Sequence, residues 1–216
     1  MALDGGDAWT AGASAGDVDG DGDLDLYLCN YIKPNQLFLN DGKGVFAEVK
    51  GAGGMDAVDC SHSAYFADAD GDGDLDMYLL TNRIEDPKGT PTELPVDKFK
   101  DGTVSIKPGF EQYYQVWRYD YETWGSEAIG TDDRFYRNDS KGGVVKFTDT
   151  TKAAGITGRG DGLGAVWTDY NGDGRIDIYV ANDFIGADRL YQNNGDGTFV
   201  DVLAAAFILP TESVGT

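Results

Sequence analysis

Three short acidic segments hold the residues of this sequence whose types and spacing best suit a chemical role. They read DVDGDGDLD from Asp17, DADGDGDLD from Asp68 and DYNGDGRID from Asp169. Carboxylate or amide oxygens recur at positions 1, 3, 5 and 9, and a glycine at position 6 allows a sharp turn. We call these segments loop 1 (17–25), loop 2 (68–76) and loop 3 (169–177). This spacing lets several oxygen atoms converge on one point, as in a cation site.

The donor atoms of these loops favour calcium over other cations. Carboxylate oxygens are hard ligands, the loops contain no histidine or cysteine, and Ca²⁺ takes about six to eight oxygens. Mg²⁺ fits less well because it prefers rigid octahedral sites that keep several waters. Position 7 contributes its backbone carbonyl, so the cationic side chain of Arg175 does not have to face the metal, and we predict about three calcium ions. The candidate ligands are Asp17, Asp19, Asp21, Asp23 and Asp25 in loop 1; Asp68, Asp70, Asp72, Asp74 and Asp76 in loop 2; and Asp169, Asn171, Asp173, Arg175 and Asp177 in loop 3.

Two other interpretations of the acidic loops are an EF-hand and a solvated acidic turn without metal. An EF-hand requires a glutamate at position 12, where these loops have Leu28, Leu79 and Val180 inside strand-like runs. A solvated turn is a common explanation for one acidic loop, but recurrence at the same place in three repeats argues against it. Calcium titration separates the solvated turn from a metal site.

The acidic loops are parts of a longer repeat that predicts the fold. Each loop precedes an apolar strand such as LDLYLC, and a second element follows with a turn between aromatic and β-branched residues. One repeat therefore reads as four strands, and four-stranded units in tandem are typical of propeller blades. We predict an all-β arc of about three blades, over residues 8–50, 58–150 and 160–202. Residues 203–216 would be a tail or the start of a further blade.

An insertion over about residues 82–131 interrupts the second predicted blade. Asp68 and Asn138 are 70 residues apart, whereas the equivalent residues of the other units are 23 and 24 residues apart. The insertion is rich in aromatic residues, which dominate interface hot spots and stack on sugar rings. A small core that packs the insertion onto its blade is an equal alternative. The candidate ligand contacts are Tyr113, Tyr114, Trp117, Tyr119, Tyr121 and Trp124.

The composition excludes several classes of partner. The chain has 216 residues with 17 basic and 38 acidic side chains, and its formal charge of −21 disfavours nucleic acids and anionic membrane surfaces. The longest apolar run, residues 202–209, is far shorter than the ~20 residues of a spanning helix, so no membrane insertion is expected. Two cysteines, Cys29 and Cys60, are compatible with one bridge between neighbouring blades or with two buried thiols.

These motifs together resemble the FG-GAP/VCBS repeats of the integrin-α type, especially the bacterial subset found upstream of an ASPIC/UnbV domain. The resemblance rests on the three acidic loops, the strand after each loop and the second element, such as the run from Asn35 to Phe46. It does not cover the insertion or the tail. The resemblance implies a calcium-loaded β-propeller, commonly secreted or exposed on a cell surface, that serves adhesion, carbohydrate binding or scaffolding. It also implies that these blades belong to a longer propeller.

Three further motifs are weaker signals of function. Residues 12–16 match the G-x-S-x-G pattern of a nucleophile elbow, but that motif needs a strand-turn-helix, and here the acidic loop begins at once. The single histidine, His62, is more typical of a structural residue than of a catalytic base. Residues 159–161 form an Arg-Gly-Asp triplet that chance and turn chemistry explain. A Ser-His-Asp enzyme is therefore disfavoured.

The sequence favours a non-enzymatic calcium-binding module that binds a protein or carbohydrate ligand at the cell surface, outside the cell or in the periplasm. One alternative is a structural subunit of a larger assembly or filament, whose open blade edges pair with further blades or other chains. Another is the propeller part of a carbohydrate-active enzyme. Glu122 and Glu127 would then be the carboxylates to test, although no spacing singles out a general acid.

Overall fold

The structure, a computed structural model, consists mainly of antiparallel β-sheets. The described residues form three four-stranded sheets and two two-stranded sheets. The predicted all-β class with four-stranded repeats is confirmed, and we call the large sheets blades 1, 2 and 3 in chain order. These blades do not close into a ring within the part of the chain that is described. The described residues are 6–84, 95–98, 103–111, 113–118, 124–128, 130–183 and 186–203.

The strands follow the chain in the order expected for successive blades. Blade 1 contains β1 (Trp9–Gly16), β2 (Asp25–Tyr31), β3 (Gln36–Asn40) and β4 (Phe46–Val49), and a 3₁₀ turn (Lys50–Gly54) follows it. Blade 2 begins with β5 (Ser61–Ala67) and β6 (Asp76–Thr81); the insertion then contributes β7 (Val96–Lys98), β8 (Val104–Ile106), β9 (Tyr114–Arg118) and β10 (Trp124–Ala128). Blade 2 is completed by β11 (Arg134–Asn138) and β12 (Phe147–Asp149), and the short helix α1 (Thr151–Ala154) follows. Blade 3 contains β13 (Gly162–Thr168), β14 (Asp177–Asn182), β15 (Arg189–Asn193) and β16 (Phe199–Asp201).

The insertion leaves the sheet of blade 2 intact. Strands β6 and β11 pair directly, with Phe135 opposite Tyr78, although the insertion separates them in sequence. Within the insertion, β7 pairs with β8 and β9 pairs with β10, so it forms two hairpins of its own. The predicted interruption of the second blade is therefore confirmed.

The hydrophobic cores lie between adjacent blades. Every residue of β6 is buried, as expected for a strand covered on both faces. The first core joins Tyr27 and Leu37 of blade 1 to Met77 and Leu79 of blade 2. The second core joins blades 2 and 3 through the buried side chains of Tyr78, Leu80, Phe135, Ile178, Val180, Tyr191 and Phe199.

Small residues in β1 allow blades 1 and 2 to approach closely. A Cβ atom at Gly12 would lie 2.0 Å from the backbone oxygen of His62 in β5. The hydroxyl of Ser14 donates a hydrogen bond to the carbonyl of Ala64 at 2.6 Å. The small residues of β1 thus set the distance between blades 1 and 2, and loop 1 follows at the end of this strand.

The structure also bears on two questions that composition raises. Cys29 and Cys60 are both buried thiols, and no disulfide joins them. Burial raises the pKa of the Cys29 thiol to about 12. Among the described residues, no helix has the length and apolar character needed to cross a bilayer.

Candidate metal centres

The acidic loops occupy equivalent places in the three blades. Each loop connects the first strand of its blade to the second, and its position 9 is the first residue of the second strand. Asp25 thus opens β2, Asp76 opens β6 and Asp177 opens β14. The blade geometry therefore repeats the candidate site three times.

The first aspartate of each loop shapes the loop backbone. The carboxylate of Asp17 accepts hydrogen bonds from the N–H groups of Gly20 at 2.9 Å and Gly22 at 3.0 Å. Asp68 and Asp169 accept the same pair of bonds in loops 2 and 3. The φ angles of Gly20 and Gly22 are +76° and +97°, a region that side-chain-bearing residues rarely adopt. The sequence predicted the turn glycine at position 6 but missed the one at position 4.

Carboxylates at positions 1, 3 and 5 converge in loops 1 and 2. In each of these loops, one oxygen atom from each of the three side chains lies within 4.8 Å of the others. A separation of this size is suited to a single cation that all three oxygens coordinate. The residues are Asp17, Asp19 and Asp21 in loop 1 and Asp68, Asp70 and Asp72 in loop 2.

The crowding of carboxylates disfavours their ionisation when no cation is present. Burial and the charge of Asp72 raise the pKa of Asp70. Burial and the charge of Asp72 also raise the pKa of Asp74, to about 6. In loop 1, burial and the charges of Asp21 and Asp17 raise the pKa of Asp19. A divalent cation would relieve this repulsion by favouring the ionised forms.

One oxygen atom in loop 2 supports the fit of a cation. Oδ1 of Asp74, at position 7, is buried and has no hydrogen-bond partner among the described residues. A buried oxygen without a partner is costly, and an ion or a water normally accounts for it. The donor set of loop 2 is thus made of hard oxygens, one of them unsatisfied, and it fits Ca²⁺. Loop 1 has the same carboxylates and fits by the same chemistry.

The aspartate at position 9 is a buried anchor in every loop. The two oxygens of Asp25 accept hydrogen bonds from the N–H groups of Val18 at 2.9 Å and Asn40 at 3.0 Å. Asp76 and Asp177 accept the equivalent bonds in loops 2 and 3. Burial raises the pKa of Asp76 to about 7. Position 9 therefore fixes the loop to the third strand of its own blade, a role that the predicted ligand function does not require.

Loop 3 differs from the other two at positions 3 and 7. The guanidinium of Arg175 lies 2.5 Å from a carboxylate oxygen of Asp173, and its Nε donates a hydrogen bond to the carbonyl of Asn193 at 2.8 Å. The side-chain amide of Asn171 donates to the same Asp173 oxygen at 2.9 Å. The sequence assigned only a backbone carbonyl to Arg175, whereas its side chain contacts a predicted ligand. A cation in loop 3 would have to compete with these two donors.

The role of the asparagine that ends the third strand of each blade was not predicted from the sequence. These residues are Asn40, Asn138 and Asn193. The amide of Asn138 bonds the carbonyl of Leu75 in its own blade and that of Val18 in blade 1. The recurrence of asparagine within the second sequence element was a usable signal, but the partner in the neighbouring blade was not visible in the sequence.

The elements considered for catalysis have structural partners. Ser14 lies in the middle of β1, not at a turn into a helix, and its hydroxyl is bonded to Ala64. The ring of His62 lies 3.1 Å from the hydroxyl of Ser63. Ser14 and His62 therefore form no nucleophile–base pair.

The Arg-Gly-Asp triplet is part of the packing between blades 2 and 3. The carboxylate of Asp161 lies 2.5 Å from Nε of Arg83. A Cβ atom at Gly160 would lie 2.2 Å from the Cα of Gly130. Asp161 is thus engaged within the protein and is not presented as a free recognition group.

The aromatic residues of the insertion are only partly described. Tyr113 and Tyr114 are half-buried, and the ring of Tyr114 lies 6.2 Å from that of Phe110 between centroids. Whether the cluster contacts a ligand or forms a small core stays a prediction. Trp117 lies in β9, and Trp124 and Glu127 lie in β10, whereas Tyr119, Tyr121 and Glu122 lie outside the described residues.

Comparison with known protein families identifies the repeats. The family described as FG-GAP-like repeat matches residues 17–79 and 169–215, which together make up just over half of the chain. The two matched regions begin at the first residues of loops 1 and 3, and the first region includes loop 2.

Comparison with curated proteins finds relatives in two mammals. Cartilage acidic protein 1 of Homo sapiens is 26% identical over 90% of this chain and 34% of its own length. The Mus musculus protein of the same name is 26% identical over 90% of this chain and 35% of its own length. The chain thus spans about a third of the length of these relatives. Among solved structures, a lectin of Agrocybe aegerita that recognises non-reducing terminal N-acetylglucosamine is 16% identical over 89% of this chain and 66% of its own, with a TM-score of 0.25, which supports no conclusion about this chain.

Proposed function

Because the chain belongs to the family of FG-GAP-like repeat proteins, we propose that it is a calcium-binding β-propeller module. It binds a protein or carbohydrate ligand at the cell surface, outside the cell or in the periplasm, and has no enzymatic activity. The observation that carries this proposal is the convergence of three carboxylates in each of loops 1 and 2. Clustered acidic oxygens of this kind suit Ca²⁺ and are costly to the fold without it.

The proposed location agrees with the chemistry of the loops. They are partly exposed and rely on a few side chains each, so they suit the weak binding typical of extracellular calcium modules. Calcium outside cells, at about millimolar levels, would keep even weak loops occupied. We therefore place the module where calcium is abundant.

Calorimetric titration tests the metal proposal directly. The unsubstituted chain should bind about three calcium ions, and Mg²⁺ should bind more weakly. The double substitution Asp17→Asn and Asp19→Asn should remove one ion and leave the others, because it neutralises loop 1 alone. The matched double substitution Asp41→Asn and Asp56→Asn changes charge by the same amount outside the loops and should remove none. Absence of calcium binding at millimolar concentration would refute the proposal.

The aromatic insertion is the proposed contact surface for the ligand. Tyr113 and Tyr114 remain partly accessible, as a contact surface requires. We expect Trp117→Ala or Trp124→Ala to abolish binding to a glycan or protein array while the melting temperature stays unchanged. A lower melting temperature would show instead that the aromatic rings form a core.

Hydrolase and lyase assays on acidic polysaccharides should show no turnover. Turnover that is lost in Glu122→Gln or Glu127→Gln would favour the enzyme alternative.

A second candidate function, assembly through open blade edges, is favoured by apolar exposure at both ends of the arc. Leu24, at position 8 of loop 1, is 62% exposed, whereas the equivalent Leu75 of blade 2 is half-buried. At the other end, Val166 and Tyr170 of blade 3 are 53% and 41% exposed. These edges would pair with further blades or with other chains. Sedimentation of the chain would show oligomers that Leu24→Asp dissociates, whereas a monomer at all concentrations would exclude assembly from this chain alone.

A further inference from the structure

Loops 1 and 2 are each hydrogen-bonded to the next blade through the backbone carbonyl at position 2. In loop 1, the carbonyl of Val18, at position 2, accepts a hydrogen bond from the side-chain amide of Asn138 in blade 2 at 3.1 Å. In loop 2, the carbonyl of Ala69 accepts the equivalent bond from Asn193 in blade 3 at 2.6 Å. The bond therefore recurs at both interfaces between blades.

The asparagines of blades 2 and 3 are fully bonded. The amide nitrogen of Asn138 also donates to the carbonyl of Leu75 at 3.2 Å, and its Oδ1 accepts the N–H of Ser140 at 3.0 Å. Asn193 makes the equivalent bonds to Ile176 and Gly195. Both asparagines are nearly inaccessible to water, so these bonds have no competing solvent.

Blade 1 provides an internal comparison because no loop precedes it in the described residues. The amide of Asn40 bonds only the carbonyl of Leu24 at 3.2 Å, and its Oδ1 is buried without a described partner. At the other end, the carbonyl of Tyr170, at position 2 of loop 3, has no hydrogen bond in the described part of the chain. Loops 1 and 2 are thus held by a neighbouring blade, whereas loop 3 has no such partner among the described residues.

We propose that Asn138 and Asn193 are positioning residues for the cation sites of the preceding blade. This inference rests on the proposed calcium function. The carbonyl at position 2 belongs to the residue that lies between the ligands at positions 1 and 3. In loop 1, Asp25 holds the N–H of Val18, and Asn138 holds its carbonyl. Both flanks of the residue that separates Asp17 from Asp19 are therefore fixed before a cation arrives, which reduces the ordering cost of binding.

The coupling must also act in the opposite direction. If Asn138 strengthens cation binding in loop 1, then a cation in loop 1 stabilises the docking of blade 2 by the same factor. Cation occupancy would thus strengthen the contacts between blades as well as the loop itself. Blade 3 would respond to loop 2 in the same way, through Asn193 and Ala69.

The test is a calcium titration followed loop by loop through the NMR signals of Gly20, Gly71 and Gly172, one glycine from each loop. Asn138→Ala should weaken calcium binding in loop 1 by about tenfold, since it removes the buried hydrogen bond to the carbonyl of Val18, and should leave loop 3 unchanged. Asn193→Ala should weaken calcium binding in loop 2 by a similar factor, because it removes the bond to the carbonyl of Ala69. Asn40→Ala, the matched control, loses only the bond to Leu24 of its own blade, so any change should be confined to loop 1 and should be clearly smaller than the change that Asn138→Ala causes there.

A second measurement keeps folding defects apart from the proposed role. Hydrogen exchange of the Val18 amide in chelator should accelerate in Asn138→Ala and remain unchanged in Asn40→Ala. If Asn138→Ala fails to fold, Asn138→Ser provides the substitution, since its hydroxyl can still accept the Ser140 N–H. Unchanged midpoints in these variants, or an equal weakening of all loops, would overturn the positioning role alone. Failure of loops 1 and 2 to titrate in the unsubstituted chain would overturn the calcium proposal as well.

Discussion

At the scale of single residues, the aspartates of each loop divide into two groups with different tasks. Those at positions 3 and 5, such as Asp70, are at least partly exposed and crowd other carboxylates. Those at position 9, such as Asp76, are buried and accept two backbone N–H groups. The first group would serve the cation, whereas the second supports the fold whether or not a cation is bound.

This division predicts different effects for two substitutions in loop 2. Asp76→Ala leaves the N–H groups of Ala69 and Asn138 buried without partners, so the free energy of unfolding should fall by at least about 2 kcal/mol, with or without calcium. Asp70→Ala should change the free energy of unfolding by less than about 0.5 kcal/mol in chelator, but it should remove much of the stabilisation that calcium provides. Urea unfolding of both variants, with calcium and with chelator, measures the difference. Equal losses in chelator would contradict the division.

Asp133 gives a prediction about pH. It is buried before β11 and accepts hydrogen bonds from the hydroxyl of Tyr78 at 2.7 Å and the N–H of Thr81 at 2.8 Å. Burial raises its pKa to about 6, against about 3.9 in the unfolded chain. Between these pH values the folded state binds more protons, so this group's contribution to the free energy of unfolding falls as pH rises from about 4 to about 6.

The substitution Asp133→Asn should remove this pH dependence. Relative to the unsubstituted chain, the variant should gain on the order of 1 to 3 kcal/mol in free energy of unfolding between pH 4 and pH 7. The equivalent residue of blade 1, Asn35, shows that the fold accepts an amide here, since its Oδ1 accepts the N–H of Asn30 at 2.8 Å. Chelator-containing urea titrations at several pH values provide the measurement, and a difference that does not vary with pH would contradict it.

At the scale of elements, the acidic loops share one backbone but differ in charge. Loop 3 has an amide at position 3, and Arg175 contacts the predicted ligand Asp173. Loop 3 should therefore release calcium first. Arg175→Ala should tighten calcium binding in loop 3 by about 3- to 10-fold, because the competing cationic group is removed. Asp23→Arg at the equivalent position of loop 1 should weaken that loop, and equal affinities in all three loops of the unsubstituted chain would contradict this account.

The strands and the acidic clusters were predictable from sequence because each depends on local patterns. Alternation, turn residues and threefold repetition predicted the four-stranded units, and oxygen donors at fixed spacing predicted the loops. The second role of Asp25 and the partners of Asn138 were not predictable, because they depend on which strand lies beside the loop and on how blades stack. The contact between Arg175 and Asp173 was missed for a related reason, since spacing alone does not give the direction of a side chain.

At the scale of the whole molecule, charge and packing act against each other. The formal charge of −21 favours expansion, while the cores between blades favour compactness. Acidic loops at the ends of the first strands concentrate part of that charge next to the contacts between blades. Calcium would therefore stabilise the arrangement of blades as well as the individual loops.

The thermal stability of the chain with and without calcium tests the central claim most directly. Three sites filled at 100 times their dissociation constants would each contribute about 2.7 kcal/mol, so the melting temperature in millimolar calcium should exceed that in excess chelator by at least about 10 °C. Magnesium at the same concentration should restore less of the difference. The account predicts this large, calcium-selective shift, and an unchanged melting temperature in excess chelator would contradict it.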